Sequence, residues 1–424
     1  MLQVTQAFNG TANTPGVFSP EIGTYRPSTA PAAGTVIPTT PTSFSPDFRN
    51  PQTWKSTLAF DKKIGTGFIL TMEAIFNKDI NPLYSKNVNL VDPVQLNNIG
   101  VADNRLFYPA ANAQKYINKL NATGQPSPTG TFALSPIVTG NSKGGYYFSF
   151  TTKLDKQFNK NLFGSIAYVA SLADNLYDGI GDQPSNTWNL INTVNGSNFP
   201  VLGKADYIVP NRIVATLSYR REYLKHLGTT LSFFYEGASQ DRYSYIYSTD
   251  FNRDGTFSDL IYIPTDATDQ NQIVFVPKTV NNVVYDAATQ GRLFNEYIDQ
   301  DKYLSKHRGE YAERNGASFP WRNRVDFKFL QDIFTNIGTK RNTLQFSLDV
   351  LNFGNLINSD WGKIKVTNAT SILVPTNVSA ISSTVKPTFQ LATVGTGLAT
   401  TTYRDLLSVG ATYSMKMGLR YIFN

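Results

Sequence analysis

The sequence has no cysteine and only two histidines, which leaves little material for catalysis. A cysteine nucleophile is excluded, and zero cysteine also fits an oxidising compartment without reliance on disulfides. There is no Gly-x-Ser-x-Gly elbow, no phosphate-binding loop and no His-Glu-x-x-His helix. His226 is interpreted as a turn residue, and His307 lies in a charged segment that suits an ion-pair network better than acid–base chemistry. We therefore expect no enzymatic activity.

Charge is scarce as well. Charged residues make up 16% of the chain, whereas soluble domains are about a quarter charged. The sequence contains 28 Phe and 23 Tyr, and low charge with many aromatics suits a surface that partly faces lipid between aromatic girdles. The net charge is +7, but no Lys/Arg-rich block stands out, so we expect no nucleic-acid partner.

Long apolar runs are missing too. None reaches the roughly 18 residues that a transmembrane helix requires. Residues 1–50 are rich in Pro and Thr and are predicted to be irregular, whereas alternating sequence fills 51–424. No secretory signal peptide is visible at Met1. If the protein resides in an outer membrane, we expect that its signal has been removed or that the sequence is a fragment.

Apolar residues recur at every second position, and the last strand is the clearest case. From Leu407 to Phe423 the odd positions are almost all apolar, and the even positions are mostly small, polar or basic. Successive side chains of a strand point to opposite faces, so one face of this strand is apolar. We predict that this face contacts lipid through Met415, Met417, Leu419, Tyr421 and Phe423.

The spacing of the alternating segments predicts the architecture. Four pairs of strands are joined by short turns, and the other connections are long; the pairs are 54–61/67–77, 144–157/161–171, 209–223/228–240 and 323–334/342–353. Short periplasmic turns and long extracellular loops are typical of outer-membrane barrels. We predict an all-β fold, an antiparallel transmembrane β-barrel with about ten membrane strands here and a periplasmic C-terminus. The alternative is a soluble β-sandwich with one solvated face.

The long loops are predicted to contain some regular structure of their own. Short strands are expected near 83–90, 243–249, 260–264 and 361–367. Short helices are expected at 112–120 and 286–298.

Three stretches resemble a known family. They are Asp250–Pro264 (with Asp-Phe-Asn-Arg-Asp-Gly-Thr), Tyr303–Gly316 and Leu351–Gly362 (with Leu-Asn-Phe-Gly-Asn). Together they resemble the C-terminal barrel of Oar-like TonB-dependent receptors of Bacteroidetes-type outer membranes, over roughly 45–424. The resemblance implies a 22-stranded barrel with an N-terminal plug, energised by TonB. Since this chain has room for about ten strands and no plug precedes them, we expect it to be the C-terminal portion of a larger receptor.

One loop has the spacing of a calcium site. Asp250, Asn252 and Asp254 can supply side-chain oxygens, Thr256 a backbone carbonyl, and Asp259 could close the site. The twelfth position of the pattern, where an EF-hand has Glu, is Ile261. The alternative is an Asp/Asn/Gly turn that satisfies itself by local hydrogen bonds. A calcium ion here would be structural and would order the long loop.

Tyr243, Tyr245 and Tyr247 form an aromatic row at strand spacing beside this loop. They are candidate ligand-binding residues that could stack on sugars. The alternatives are an interfacial girdle and a loop core.

The expected function is an outer-membrane receptor that takes up a large or scarce ligand, in contact with outer-membrane lipid, a plug domain and the TonB system. A surface lipoprotein or another outer-membrane protein is a further expected partner. Two alternatives stay open: a structural barrel serving secretion, adhesion or gliding, and a passive porin. The transported ligand, the oligomeric state and the total strand number do not follow from the sequence.

Overall fold

The computed structural model describes residues 39–96, 101–179, 181, 183–337 and 340–423. Nine long strands, β1 to β9, dominate it: Gln52–Ile64, Phe68–Ile80, Tyr146–Gln157, Leu162–Asn175, Asn211–Tyr223, Leu227–Ala238, Arg322–Ile337, Lys340–Leu351 and Ser414–Phe423. They lie in one sheet in chain order, and the two-residue strand Gly203–Lys204 pairs with β4 as its tenth member. The fold is thus mostly β-sheet, as predicted, and nine long strands stand where about ten membrane strands were expected.

Every neighbouring pair of long strands is antiparallel. Eight reversals of direction leave β9 running the same way as β1. Among the described residues, no strand pairs with the free edge of β1 or of β9. A closed sheet in which all neighbours are antiparallel has an even number of strands. Because this sheet has nine long strands, an odd number of further strands would be needed to close it between β9 and β1.

The turns that join the strands differ sharply between the two ends of the sheet. At one end only a few residues separate β1 from β2, β3 from β4, β5 from β6, and β7 from β8. The first of these turns contains Gly65 and Gly67 at φ of 52° and 82°, a conformation that glycine adopts without strain. At the other end the connections are 81–145, 176–210, 239–321 and 352–413. The predicted alternation of short and long connections is confirmed.

Side chains on the two faces of the sheet differ in polarity. One face, the apolar face, is lined in register by Leu58, Phe60, Leu70, Met72, Phe148, Phe150, Leu154, Ile166, Leu217, Leu231, Phe233, Phe327, Phe329, Phe346, Leu348, Met417 and Leu419. The opposite face, the polar face, carries ion pairs such as Arg220–Asp332 at 3.0 Å and Lys328–Asp349 at 2.8 Å.

The four long connections and the strand Thr42–Phe44, which precedes β1, fold together into a loop body at one end of the sheet. Its strands are Thr42–Phe44, Leu83–Asn87, Val94–Gln95, Leu106–Phe107, Ile137–Asn141, Arg242–Tyr243, Val274–Phe275, Lys278–Val280, Val283–Tyr285, Ala317–Ser318, Lys365–Thr367, Leu373–Pro375, Thr388–Leu391, Thr393–Val394, Gly397–Leu398 and Tyr403–Asp405. Its helices are Asn112–Lys115, Asn186–Asn189, Ala287–Gln300 and Phe353–Ile357, with single 3₁₀ turns at Leu304–Lys306, Val378–Ala380 and Val409–Ala411.

The main hydrophobic core lies in this loop body. Fully buried members include Phe251, Ile261, Phe294, Leu373 and Leu391. These five come from the connections 239–321 and 352–413, and Phe107 of the first long connection joins the same core, so three of the loops stabilise one another. None of the helices in the described residues is both long enough and apolar enough to span a membrane.

Several local predictions can be compared directly with the structure. The two predicted loop helices form, at Asn112–Lys115 and Ala287–Gln300, and strands form at Leu83–Asn87 and Lys365–Thr367. Near 243–249 the strand is only Arg242–Tyr243, and 260–264 forms isolated bridges instead of a strand. Of the predicted irregular segment 1–50, residues 1–38 lie outside the described residues; Thr42–Phe44 is a short strand parallel to Ile137–Asn141.

The last strand is shorter than its alternation predicts. It begins at Ser414, because its partner β8 ends at Leu351, the residue paired with Ser414. Before it, Val409–Ala411 forms a 3₁₀ turn, and the Tyr413 N–H donates to Asn355 Oδ1 at 3.2 Å. The prediction that residues 407–413 belong to the strand was wrong, since alternation without a neighbouring strand does not produce pairing.

Candidate functional site

The apolar face is the first candidate surface. The five predicted lipid-contacting residues of the last strand all lie on it, and Met417, Leu419 and Phe423 are 68%, 72% and 75% exposed. They continue the rows formed by β8 and β7, where Leu348 pairs with Phe329. Soluble monomers rarely expose contiguous apolar patches of more than a few hundred Å². This face therefore requires a covering of low polarity.

The two ends of the sheet also carry aromatic side chains on or beside the apolar face. Trp54, Tyr235 and Trp321 stand at the end that bears the loop body, and Tyr421 and Phe423 at the end that bears the short turns. Tyr and Trp favour membrane–water boundaries because their rings are apolar and their O–H or N–H groups are polar. The Trp321 indole N–H donates to Asn323 at 2.9 Å, so its polar edge is satisfied by protein.

The candidate calcium loop, Asp250–Asp259, is called the acidic loop and lies inside the loop body. Asn252, Asp254 and Asp259 are buried, whereas Asp250 is partly exposed. Burial and the neighbouring Asp254 raise the pKa of Asp250 to about 6. Burial and Asp254 also raise the pKa of Asp259 well above its usual value.

Most oxygens of this loop already accept hydrogen bonds. Asp254 accepts from the Thr256 N–H at 2.8 Å and from the Ser197 N–H at 2.9 Å. Asn252 accepts from the Asp254 N–H at 2.9 Å, and Asp259 from the Phe251 N–H at 2.8 Å.

Two buried cations lie close enough to act electrostatically on these carboxylates. Lys115 acts on Asp250 and Asp254, and Arg105 acts on Asp259. Among the described residues, no set of three or more His, Cys, Asp or Glu side chains is arranged to hold a metal ion. Hydrogen bonds from backbone N–H groups and two nearby buried cations thus stabilise the carboxylates, which favours the hydrogen-bonded turn; calcium binding stays the untested alternative.

Arg105 is a buried residue that the sequence did not single out. Its guanidinium pairs with Asp103 at 2.9 Å and lies 5.0 Å from the ring centre of Tyr247 and 4.9 Å from that of Phe251. Such cation–π contacts gain strength when the cation is desolvated. Arg105 therefore ties the first long connection to the acidic loop. No signal in its local sequence, Asn104-Arg105-Leu106, indicates this role.

The three candidate tyrosines are buried in the core of the loop body. Tyr243, Tyr245 and Tyr247 are 8%, 0% and 2% exposed. The Tyr245 hydroxyl donates to Asp301 at 2.7 Å, and that of Tyr247 to Asp103 at 3.4 Å. This placement favours the loop-core alternative over contact with a ligand or a membrane boundary.

The two histidines occupy different settings. His226 lies in a short turn with Nδ1 3.2 Å from the carbonyl oxygen of Phe334. His307 stacks on Tyr303 with ring centres 4.1 Å apart. In the same segment Arg308 pairs with Asp299 at 2.7 Å, and His307 is in no ion pair among the described residues. The segment around His307 therefore makes separate ion pairs through Arg308 and through Arg314, which lies 3.8 Å from Asp178.

Comparison with known proteins finds no relative: no family model, curated protein or solved structure matches the chain.

Proposed function

We propose that this chain forms part of an outer-membrane β-barrel that acts as a TonB-dependent receptor for a large or scarce ligand. The observation that carries the proposal is the apolar face, which crosses all nine long strands opposite a face of ion pairs. Alternation of apolar-out and polar-in side chains is the pattern of membrane barrels. In a membrane the apolar face would contact lipid and the polar face would line the lumen.

The strand lengths are compatible with this role. β9 has 10 residues and β7 has 16, and a tilted strand needs about 9–11 residues to cross the hydrocarbon core. The short turns would then be periplasmic, the loop body extracellular, and Phe423 would lie at the periplasmic end.

The two free edges support a larger barrel. An edge strand exposes unpaired N–H and C=O groups, which lipid cannot satisfy. Further strands, odd in number, must therefore pair with β1 and β9 if the sheet lies in a membrane. The 22-stranded receptor that the three motifs resemble is even-numbered and would supply them, together with a plug.

The receptor is preferred to a porin because the long connections form one body with its own core. Binding residues are disproportionately carried on loops that a rigid scaffold positions. A structural barrel serving secretion, adhesion or gliding is the second candidate, since such a body could equally hold a partner protein. Constitutive ion conductance of the purified protein in a planar bilayer would favour the porin. A partner that co-purifies in fixed stoichiometry, with no plug in the gene, would favour the structural role.

The absence of cysteine in the sequence makes the membrane orientation directly testable. Val284→Cys places a thiol on an exposed hairpin of the loop body, and Lys160→Cys places one on an exposed short turn. We expect a membrane-impermeant maleimide to label Val284→Cys in intact cells and Lys160→Cys only after permeabilisation. The unsubstituted chain provides the blank. Equal labelling of both thiols in intact cells would refute the proposed orientation.

A further inference from the structure

The loop body contains a cavity where it meets the ends of β6 and β7. Its volume is about 510 Å³, and we name it the Trp321 pocket. Its lining includes Lys302, Tyr303, Lys306, His307, Trp321 and Tyr403. Ligand pockets of proteins commonly span about 300–1,000 Å³, so this one has the size for a small ligand or one unit of a larger chain.

The aromatic wall of the pocket is held in place. Tyr303 stacks on His307, and the Glu313 N–H donates to the Tyr303 hydroxyl at 2.7 Å. A Cβ at Gly316 would lie 2.7 Å from the Tyr303 ring, so only glycine lets the ring lie there. The Tyr403 hydroxyl donates to the Ser318 carbonyl at 3.0 Å. The rings therefore need little ordering when a ligand binds.

The lysines that line the pocket are positive, and the carboxylates of Asp301, Glu310 and Glu313 act on Tyr303 from outside the lining. Lys302 and Lys306 are exposed, and the described lining contains no Asp or Glu. A neighbouring cavity, which shares Trp321, differs in this respect: there Lys363 pairs with Asp360 at 2.7 Å and with Asp405 at 3.1 Å. An anion that enters the Trp321 pocket would meet two ammonium groups without displacing a carboxylate.

His307 adds a hydrogen-bonding group. Its Nδ1 lies 2.8 Å from the Tyr303 carbonyl oxygen, which can only accept, so Nδ1 carries the proton. The other ring nitrogen, Nε2, is then the acceptor of the neutral ring. A hydroxyl of a ligand could donate to it.

We propose that the Trp321 pocket binds an anionic sugar, one that bears a carboxylate or a phosphate. The aromatic rings would pack against the C–H face of the sugar ring, Lys302 and Lys306 would hold the anion, and His307 would accept from a hydroxyl. Such a sugar has two sources, a soluble acidic saccharide or the headgroup of a membrane glycolipid. The neighbouring cavity is lined by Trp321, Asn323 and Val325, and Val325 lies on the apolar face. A lipid on that face could therefore place its headgroup near the Trp321 pocket. That source alone rests on the proposed membrane location.

The test is binding to the full chain, purified in detergent, of two probes that differ in source. Oligogalacturonate represents the soluble sugar, and lipopolysaccharide in nanodiscs represents the glycolipid. We expect saturable binding of at least one probe. The Lys302→Glu/Lys306→Glu variant should raise its Kd by at least about tenfold, since both ammonium groups are replaced by repelling carboxylates. The probe that binds identifies the source.

Lys62→Glu/Lys63→Glu is the matched control, because it makes the same charge change on exposed residues at the opposite end of the sheet. It should leave the Kd within about twofold. A second variant, Trp321→Ala, should weaken binding without any change of charge. Failure of both probes to bind, an equal effect of the two charge reversals, or tighter binding of polyglutamate than of either probe would overturn the proposal. The thiol-labelling experiment is independent of these results, so failure of one idea is distinguishable from failure of the other.

Discussion

The hydroxyl of Tyr245 donates a 2.7 Å hydrogen bond to the carboxylate of Asp301, and both side chains are buried. Asp301 also accepts from the Thr402 hydroxyl at 2.8 Å and from the Leu304 N–H at 2.8 Å. One carboxylate therefore joins the tyrosine row, the end of helix Ala287–Gln300 and the last long connection. This junction holds the loop body together at its centre.

Tyr245→Phe should destabilise the loop body by about 1–3 kcal/mol, because a hydrogen bond to a buried charged group is lost. Near-UV circular dichroism on heating in detergent would report it. Tyr207→Phe is the control, since Tyr207 is 61% exposed. Equal melting temperatures for Tyr245→Phe and the unsubstituted chain would show that the bond contributes nothing.

Asp250 should make the loop body less stable as pH rises. Its folded pKa is about 6, whereas an unperturbed Asp has a pKa of about 3.9. The folded protein thus holds this proton more tightly, and its contribution to stability falls as pH rises from about 4 to about 6 and stays lower above that range. Asp250→Asn should therefore stabilise the protein at pH 7.5, by on the order of 2 kcal/mol, and have little effect at pH 4.

Asp266→Asn is a control of opposite sign. Hydrogen bonds from Thr268 and Asn295 lower the pKa of Asp266 to about 2, so its stabilising contribution is lost as pH falls through the acidic range. Asp266→Asn should therefore lower the melting temperature at neutral pH. If both variants shifted stability in the same direction at pH 7.5, the explanation based on Asp250 would fail.

Calcium binding to the acidic loop can be decided by titration. Because the oxygens of Asn252, Asp254 and Asp259 accept backbone hydrogen bonds and buried cations lie close to the carboxylates, we expect metal-stripped protein to give no calorimetric heat with calcium up to the millimolar range. A one-to-one isotherm that disappears in Asp254→Asn would contradict this and establish the calcium alternative.

The two faces of the sheet should respond oppositely to the same new charge. Phe346→Arg places a cation on the apolar face, where a membrane midplane position would cost about 2–4 kcal/mol. Gln345→Arg places it on the polar face beside Asp332, to which Gln345 donates at 2.8 Å. We expect only Phe346→Arg to reduce the folded, heat-modifiable form on gels of outer membranes. Equal loss in both variants would argue against lipid on the apolar face.

Much of the sheet was predictable because period-two alternation is a local property. The strand pairs followed directly from it, as did the short turns between them. The limits of this reasoning appear at Leu407 and Tyr245, which also lie in alternating segments. Leu407 lacks a neighbouring strand and is 93% exposed, whereas Tyr245 is fully buried in the loop body. Alternation specifies two faces, but tertiary contacts decide what covers each of them.

The Trp321 pocket could not be predicted in the same way. Lys302, Trp321 and Tyr403 come from two different long connections, and only the packing of the loop body brings them to one cavity. The charged segment around His307 was visible in the sequence, but its aromatic partners were not. The acidic loop shows the reverse case. Its pattern is visible in the local sequence, but distant residues such as Ser197 and Arg105 interact with its carboxylates by a hydrogen bond and by charge.

The two parallel free edges have a consequence for handling the protein. Every residue of Gln52–Ile64 is exposed, so this strand offers a long backbone template to any other chain. Natural sheets blunt such edges to avoid aggregation. At high concentration this chain should therefore tend to associate edge to edge, whereas a longer version that pairs both β1 and β9 should remain dispersed. In a cell, the same property would require β1 and β9 to pair with their neighbouring strands early in assembly, before other chains can pair with the free edges.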